Sequence, residues 1–70
     1  MNLQLVNSSN LHMVGYDKEE AVLRIVFKTG AIYDYQNVPP AIYQALNASV
    51  SKGTFFSRFI KNKFLFERAQ

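Results

Sequence analysis

Apolar residues alternate with charged or smaller residues on both sides of a Lys-Thr-Gly turn, over residues 21–37. A period of two, in segments rich in β-branched and aromatic residues, is typical of β-strands. The pattern therefore predicts two strands, over residues 21–28 and 31–36, that pair as an antiparallel hairpin.

Two turns fit this hairpin, and they put the tyrosines on opposite faces. A two-residue loop of Thr29 and Gly30 places Tyr33 and Tyr35 beside the charged residues, whereas a three-residue loop that includes Lys28 places them on the apolar face. We favour the three-residue loop, because Lys and Thr suit a type I turn and Gly suits the left-handed position that follows it. The predicted buried face then carries Leu23, Ile25, Phe27, Ala31, Tyr33 and Tyr35.

Two more strands are predicted before the hairpin. Leu3 and Leu5 can form a short edge strand, and residues 11–16 read as a second strand that ends at a charged loop. Because that loop is too short for a crossover connection, residues 11–16 and 21–28 should be antiparallel. The result is a β-meander of three to four strands.

After Val38, two prolines end the sheet, since proline cannot donate to a strand ladder, and proline suits the first position of a helix. An apolar stripe at helical spacing then predicts a helix up to about Ala48. A second helix should begin within residues 51–54, where Ser51 or Thr54 can cap its free amides. Its predicted packing side consists of Phe55, Phe56, Phe59 and Ile60.

Beyond Asn62, Phe64 and Phe66 alternate with polar residues, which is consistent with a last short strand or an extended tail. The predicted fold is therefore α+β: a three- to four-stranded antiparallel meander with two C-terminal helices packed on one face. We expect residues 1–70 to form a single domain.

Composition argues against catalysis. The chain has no cysteine and one histidine, His12, which we expect on the polar face of a strand. Only the exposed pair Glu19 and Glu20 brings carboxylates together, so no nucleophile and base are evident and no metal site or cofactor is expected. We predict a protein that is not an enzyme. With no signal peptide or membrane-spanning segment in view, we expect it in the cytoplasm and away from membranes.

The net charge of +3 is unevenly distributed. Residues 50–70 hold five cationic side chains and one acidic residue, Glu67. Such a patch is what an anionic partner needs, although small domains also carry basic patches for solubility. The patch consists of Lys52, Arg58, Lys61, Lys63 and Arg68.

Six short motifs occur in an order that resembles the KTSC domain family, named for the C-terminus of lysyl-tRNA synthetase. The likeness covers roughly residues 4–68. The motifs are Ser8-Ser9-Asn10, Gly15-Tyr16-Asp17, Phe27-Lys28-Thr29-Gly30, Tyr33-Asp34-Tyr35, Val38-Pro39 and Ser51-Lys52-Gly53.

The resemblance implies a domain that is appended to some lysyl-tRNA synthetases or stands alone in bacteria and phages, with RNA binding as a suggested role. Its central Tyr-x-Tyr motif maps onto Tyr33 and Tyr35. This chain departs from the family at Ser57, where Asn is frequent, and at Phe64 and Phe66, where Tyr is common. A ligand that touches those positions would meet different groups here.

The start of the second helix offers the richest chemistry for an anion. Ser51, Lys52, Gly53 and Thr54 supply free amides, two hydroxyls, a lysine and a glycine that allows close approach, and such helix starts bind phosphates. A plain capped helix explains the same residues. The segment lacks the glycine spacing of a Walker A loop.

Further candidate contacts are Arg58, Lys61 and Lys63 for backbone phosphates, and Ser8, Ser9 and Asn10 in a polar turn. Tyr33 and Tyr35 could stack on bases, but the favoured register turns both rings toward the helices, so core tyrosines with hydroxyls at the rim are the better interpretation.

Three functions stay open. The first is a binding module for RNA or another nucleic acid, which uses the basic C-terminal third. The second is a phage-type protein that sequesters a small, cyclic or linear, nucleotide signal. The third is a protein-interaction or self-assembly module, in which a homo-oligomer forms through the second sheet face or an edge strand.

Overall fold

The fold is a five-stranded antiparallel sheet with two helices packed on one face, as seen in a computed structural model that describes residues 1–70. The strands are β1 (Leu3–Leu5), β2 (Leu11–Asp17), β3 (Val22–Phe27), β4 (Ile32–Tyr35) and β5 (Phe66–Arg68), and the helices are α1 (Pro40–Ala48) and α2 (Lys52–Phe59). The strands lie side by side in chain order, and the sheet is open. The predicted α+β class is confirmed.

The three-residue turn is confirmed. Gly30 has a φ of +96°, in the left-handed region, and its N–H donates to the Phe27 carbonyl at 2.9 Å. The pairing sets Tyr33 opposite Ile25 and Tyr35 opposite Leu23. Both tyrosines therefore lie on the face that the helices cover.

One irregularity sets the register of β2. Leu11 pairs with Phe27 and Met13 with Val26, so His12 is an extra residue in a bulge. The bulge lets Leu11 and Val14, three positions apart, both point into the core with no exposed surface. His12 itself is exposed.

The helices begin where proline and serine predict. Pro40 is the first residue of α1, and its Leu46 is the one buried residue of that helix. Ser51 caps α2 by accepting a hydrogen bond from the Thr54 N–H at 3.3 Å. The core is a single cluster of Leu11, Val14, Leu23, Ile25, Tyr35, Val38, Leu46, Phe56 and Ile60.

Sequence reasoning placed Phe59 on the packing side of α2, and that prediction is wrong. Phe59 is 51% exposed and contacts the ring of Phe55, at 4.8 Å between centroids. Phe56 and Ile60, four residues apart, occupy the row that faces the sheet. Phe55 still packs against the core cluster, whereas Phe59 is the last residue of α2 and does not, so its ring stays at the surface.

The C-terminal segment forms a strand rather than a tail. Residues of β5 pair antiparallel with β4, and Phe66 lies opposite Tyr35. The opposite sheet face is open, and at its centre Arg24 binds Asp34 through two hydrogen bonds of 2.7 and 2.8 Å. These bonds raise the pKa of Arg24. Neither helix is long and apolar enough to cross a membrane.

Candidate functional site: a polar cleft beside an aromatic slot

The turn before β2 and the start of α2 meet and form a cleft of about 750 Å³, here called the polar cleft. Ten of its eleven lining residues are not hydrophobic, and no acidic side chain is among them. The lining residues are Asn7, Ser8, Ser9, Asn10, Val50, Ser51, Lys52, Gly53, Thr54, Ser57 and Arg58.

Gly53 allows the start of α2 to lie close to the turn before β2, which forms the other wall of the polar cleft. A Cβ at this position would lie 2.7 Å from Asn10 Oδ1 and 3.2 Å from Ser8 Oγ. A side chain here would displace the side chains of Asn10 and Ser8. The glycine of the Ser-Lys-Gly motif thus serves contact between two segments 43 positions apart in the chain.

The turn is held by its own hydrogen bonds. Ser8 Oγ accepts from the N–H groups of Asn10 and Leu11, at 3.4 and 3.2 Å, and donates to Asn10 Oδ1 at 3.1 Å. These bonds hold the Asn10 side chain in place, and both its NH₂ group and the second lone pair of its oxygen stay available to a ligand.

At the start of α2, Ser51 satisfies one amide, while the amides of Lys52 and Gly53 precede the first residue that has a helical acceptor. The Lys52 ammonium donates to the Ser49 carbonyl at 2.8 Å. Lys52 therefore ties the end of α1 to the start of α2. Arg58, one and a half turns along the helix, is exposed and contributes positive charge to the same cleft.

A second hollow adjoins the first, between β3, β4 and α2. This aromatic slot, of about 300 Å³, has four rings in its wall, and no acidic side chain lines it. It shares two residues, Asn10 and Ser57, with the polar cleft. Its lining is Asn10, Phe27, Thr29, Ala31, Tyr33, Tyr35, Phe56, Ser57 and Lys61.

The rings of the slot brace one another. Phe27 meets Tyr33 edge to face at 5.4 Å and Phe56 at 5.5 Å, and Phe56 meets Tyr35 in the same manner at 5.5 Å. Edge-to-face packing of this kind fixes the ring planes. The four rings of the slot therefore belong to the edge of the core, and the slot is largely formed before any ligand binds.

Tyr35 differs from the other tyrosines. It is 2% exposed, and burial raises the pKa of its hydroxyl to about 12, with a further contribution from Tyr33. The hydroxyl therefore stays protonated across the physiological range. Tyr16, in contrast, donates its hydroxyl to the Val38 carbonyl at 2.6 Å on the other side of the fold.

Strand β5 extends the aromatic surface outward from Tyr33. The ring of Phe66 stacks on Tyr33 with centroids 5.0 Å apart and planes 9° apart, and the Arg68 guanidinium stands 5.9 Å from the same ring centroid. Phe66 is half exposed. Phe66 and Arg68 do not line the slot, but they extend the aromatic and cationic surface beside Tyr33.

Most of the candidates from the sequence meet at these two hollows. Tyr33, Tyr35 and Lys61 line the slot, whereas Lys63 lines neither hollow. The remaining candidates line the polar cleft, and Asn10 lines both: Ser8, Ser9, Asn10, Ser51, Lys52, Gly53, Thr54 and Arg58.

Sequence reasoning missed other lining residues. The sequence predicts Phe27 and Phe56 as core residues only. The structure places both rings beside Asn10 of the polar turn, where they also line the slot. Ser57 was noted as a departure from the family pattern, and it lies where the two hollows join. No group of three or more His, Cys, Asp or Glu side chains is placed to hold a metal ion.

Comparison with known proteins identifies the family of this chain. The sequence profile of the KTSC domain matches residues 7–64. The chain belongs to the KTSC domain family. A crystal structure of a KTSC domain protein from Yersinia pestis superposes with a TM-score of 0.95 at 38% identity, over 99% of this chain and 97% of that one.

Two relatives show the range of proteins in which KTSC domains occur. A protein of Stutzerimonas stutzeri is 41% identical over 56 residues, which is 80% of this chain and 79% of that protein. A lysine–tRNA ligase of Nostoc punctiforme is 38% identical over 60 residues, which is 86% of this chain but 11% of the ligase. The KTSC domain thus occurs both as most of a small protein and as a minor part of a synthetase.

Proposed function

We propose that this KTSC domain is a small, non-enzymatic binding module for single-stranded RNA, or for another single-stranded nucleic acid. The observation that carries the proposal is the junction of the two hollows at Asn10 and Ser57. The polar cleft has the chemistry to bind a phosphate, and the adjoining aromatic slot can bind a base. Aromatic stacking combined with cations along the backbone is how single strands are bound without base pairing.

The charge of the two hollows supports binding of a nucleic acid there. Neither hollow contains an acidic side chain, and Lys52, Arg58 and Lys61 contribute three of the protein's eight cationic groups to their walls. The positive potential of these side chains attracts phosphate groups, and each phosphate that they neutralise adds to the salt dependence of binding. In the lysine–tRNA ligases that carry a similar domain, an RNA is already the substrate implied by the name.

A charge-matched pair of variants tests the proposal. The site variant is Arg58→Gln with Lys61→Gln, and the control is Lys18→Gln with Lys28→Gln, whose residues line neither hollow. Both lower the net charge equally. Lys52 is left intact because its ammonium holds the end of α1.

Binding is followed by the fluorescence anisotropy of a labelled single-stranded RNA at several salt concentrations. We expect the site variant to bind more weakly and to lower the slope of log K against log[salt] by about 1.4, at roughly 0.7 per lost contact, while the control keeps most of the affinity. Equal losses in the two variants would refute a local site, and no binding by the unaltered protein would refute the function.

The dimensions of the site favour a second candidate, a binder of a small cyclic or linear nucleotide. The slot and cleft together offer one aromatic space and one polar space, which is the layout of a single nucleotide. Thermal denaturation against a set of nucleotides tests it, because ligand at about 100 times its dissociation constant stabilises the fold by roughly 2.7 kcal/mol. A flat melting temperature with every nucleotide would exclude this candidate.

A further inference from the structure

Strand β1 is an edge of the sheet with unpaired backbone groups. The Val6 N–H donates to the His12 carbonyl at 3.1 Å, and Gln4 lies two positions earlier in the same register. Hydrogen-bonded pairs alternate with non-bonded pairs along an antiparallel ladder. Gln4 therefore bonds to β2, whereas the N–H and carbonyl groups of Leu3 and Leu5 point away from the sheet.

The side chains at this edge are apolar and accessible. All three residues of β1 are exposed, and Leu5 is 74% and Leu3 39% exposed. Leu3 lies opposite Gly15, which lies opposite Arg24 at the centre of the open sheet face. Leu3 and Leu5 are two positions apart in one strand, so both side chains lie on that open face.

The edge also lacks the features that keep edge strands apart. Proteins commonly protect a free edge with charged side chains or proline. None of residues 1–16 is Asp, Glu, Lys, Arg or Pro. At the other edge of the sheet, β5 carries Glu67 and Arg68 among its three residues. Of the two edges, β1 is therefore the one suited to pair with another strand.

We infer that a second copy of this chain binds along β1, antiparallel, about a two-fold axis that passes through Gln4 perpendicular to the sheet. This register sets Leu3 opposite Leu5 of the second copy, and the outward N–H and carbonyl groups of each leucine meet those of the other. The two-fold axis keeps both leucines on the open face, where they contact across the strands. Two five-stranded sheets then form one continuous sheet.

Charge favours a second copy at this edge. One chain has a net charge of +3, and its basic residues are concentrated in residues 50–70, so two copies repel each other where those segments meet. Along β1, in contrast, no charged side chain opposes the approach.

The symmetry and the size of the contact set the kind of dimer. The contact is isologous and uses the β1 edge of both copies, so assembly stops at two. Strands of three residues bury less than the roughly 1,000 Å² of a stable interface, so the dimer is weak and exchanges with the monomer.

Two measurements on the whole protein test the inference. Sedimentation equilibrium at protein concentrations up to about 1 mM, where weak association is measurable, should show the mass rise from the 8.0 kDa of one chain toward twice that value and no further. Amide hydrogen exchange followed by NMR should slow at Leu3 and Leu5 as the protein concentration rises, because their N–H groups become bonded in the dimer.

A matched pair of variants assigns the contact to β1. Leu5→Lys places a charge beside Leu3 of the second copy, and we expect it to raise the dissociation constant of the dimer at least about tenfold. The control is Leu65→Lys, since Leu65 is 81% exposed and precedes β5 at the opposite edge. Both variants add the same charge at an exposed leucine, and the control should keep the affinity of the unaltered protein.

Each contrary outcome overturns a stated part of the inference. A single 8.0 kDa species at about 1 mM would overturn self-association and leave the β1 edge to a different protein. A mass that continues to grow beyond two copies would overturn the two-fold arrangement. A dimer without slower exchange at Leu3 and Leu5, or one that Leu5→Lys and Leu65→Lys weaken equally, would overturn the assignment to β1.

Discussion

Two phenylalanines three positions apart on α2 have opposite environments, and this difference can be measured. Phe56 is 3% exposed and packs edge to face on Phe27 and Tyr35, at 5.5 Å in both cases. Phe59 is 51% exposed and contacts only the ring of Phe55 among aromatic neighbours. Truncation of each to Ala removes the same atoms from the same helix, so the two variants are matched.

The expected losses differ several-fold. Phe56→Ala removes a buried ring and leaves a cavity, which typically costs about 3–5 kcal/mol. Phe59→Ala forfeits about half of a phenylalanine's transfer free energy, or about 1 kcal/mol. A domain of this length has a total stability of roughly 4–10 kcal/mol. Phe56→Ala should therefore remove a large share of the stability and Phe59→Ala a small one.

Urea denaturation monitored by circular dichroism measures both losses. With a slope of about 1 kcal/mol per molar urea, Phe56→Ala should lower the midpoint by about 3 M or more and Phe59→Ala by about 1 M. If Phe56→Ala is unfolded without urea, Phe56→Leu keeps the comparison, since it should still lose more than Phe59→Leu. Equal losses at the two positions would refute the orientation of α2 and, with it, the wall of the aromatic slot.

Three other predictions follow from single contacts. Gly30→Ala should destabilise the fold by about 1–2 kcal/mol in urea denaturation, because its φ of +96° is strained for any side chain although no atom lies within 4 Å of the added carbon; a neutral result would argue against the three-residue turn. Tyr16→Phe should cost about 1 kcal/mol, since the Val38 carbonyl loses the donor 2.6 Å away, and an unchanged urea midpoint would contradict that bond. The pKa of Tyr35 is raised from 10.0 to about 12 on folding, so the contribution of its protonated hydroxyl to stability is full below pH 10 and is lost as the pH rises through about 12. The fall of the urea midpoint at alkaline pH should therefore be shallower in Tyr35→Phe than in the unaltered protein. Identical falls would count against the burial of this hydroxyl.

Local chemistry made the hairpin predictable. Lys28, Thr29 and Gly30 specify one turn, the turn specifies the register, and the register decides that Tyr33 and Tyr35 lie under the helices. The starts of both helices followed in the same way, from proline at the first position of α1 and serine at the cap of α2. In the turn and at the cap of α2, the hydrogen-bond partners lie three residues apart.

Packing between distant segments was harder to predict. Helical periodicity placed Phe59 with Phe56, but it cannot tell how wide a stripe the sheet will cover. The candidate residues of the two hollows were named singly, from their chemistry, and nothing in their spacing showed that Asn10 would reach Gly53 or that Ser57 would join the two spaces. Such contacts depend on how the turn before β2 and α2 are brought together.

The position of β5 in the chain implies that its pairing with β4 can open locally. Every other strand pairs with its neighbour across a short connection, but β5 returns to β4 only after both helices, and all three of its residues are exposed. Forming this pairing closes the longest loop in the sheet and gains little buried surface, so it should assemble late and open well below the free energy of global unfolding. Because β5 carries Phe66 and Arg68 against Tyr33, each opening would uncover the ring of Tyr33, and amide hydrogen exchange at β5 would report how often that ring is accessible.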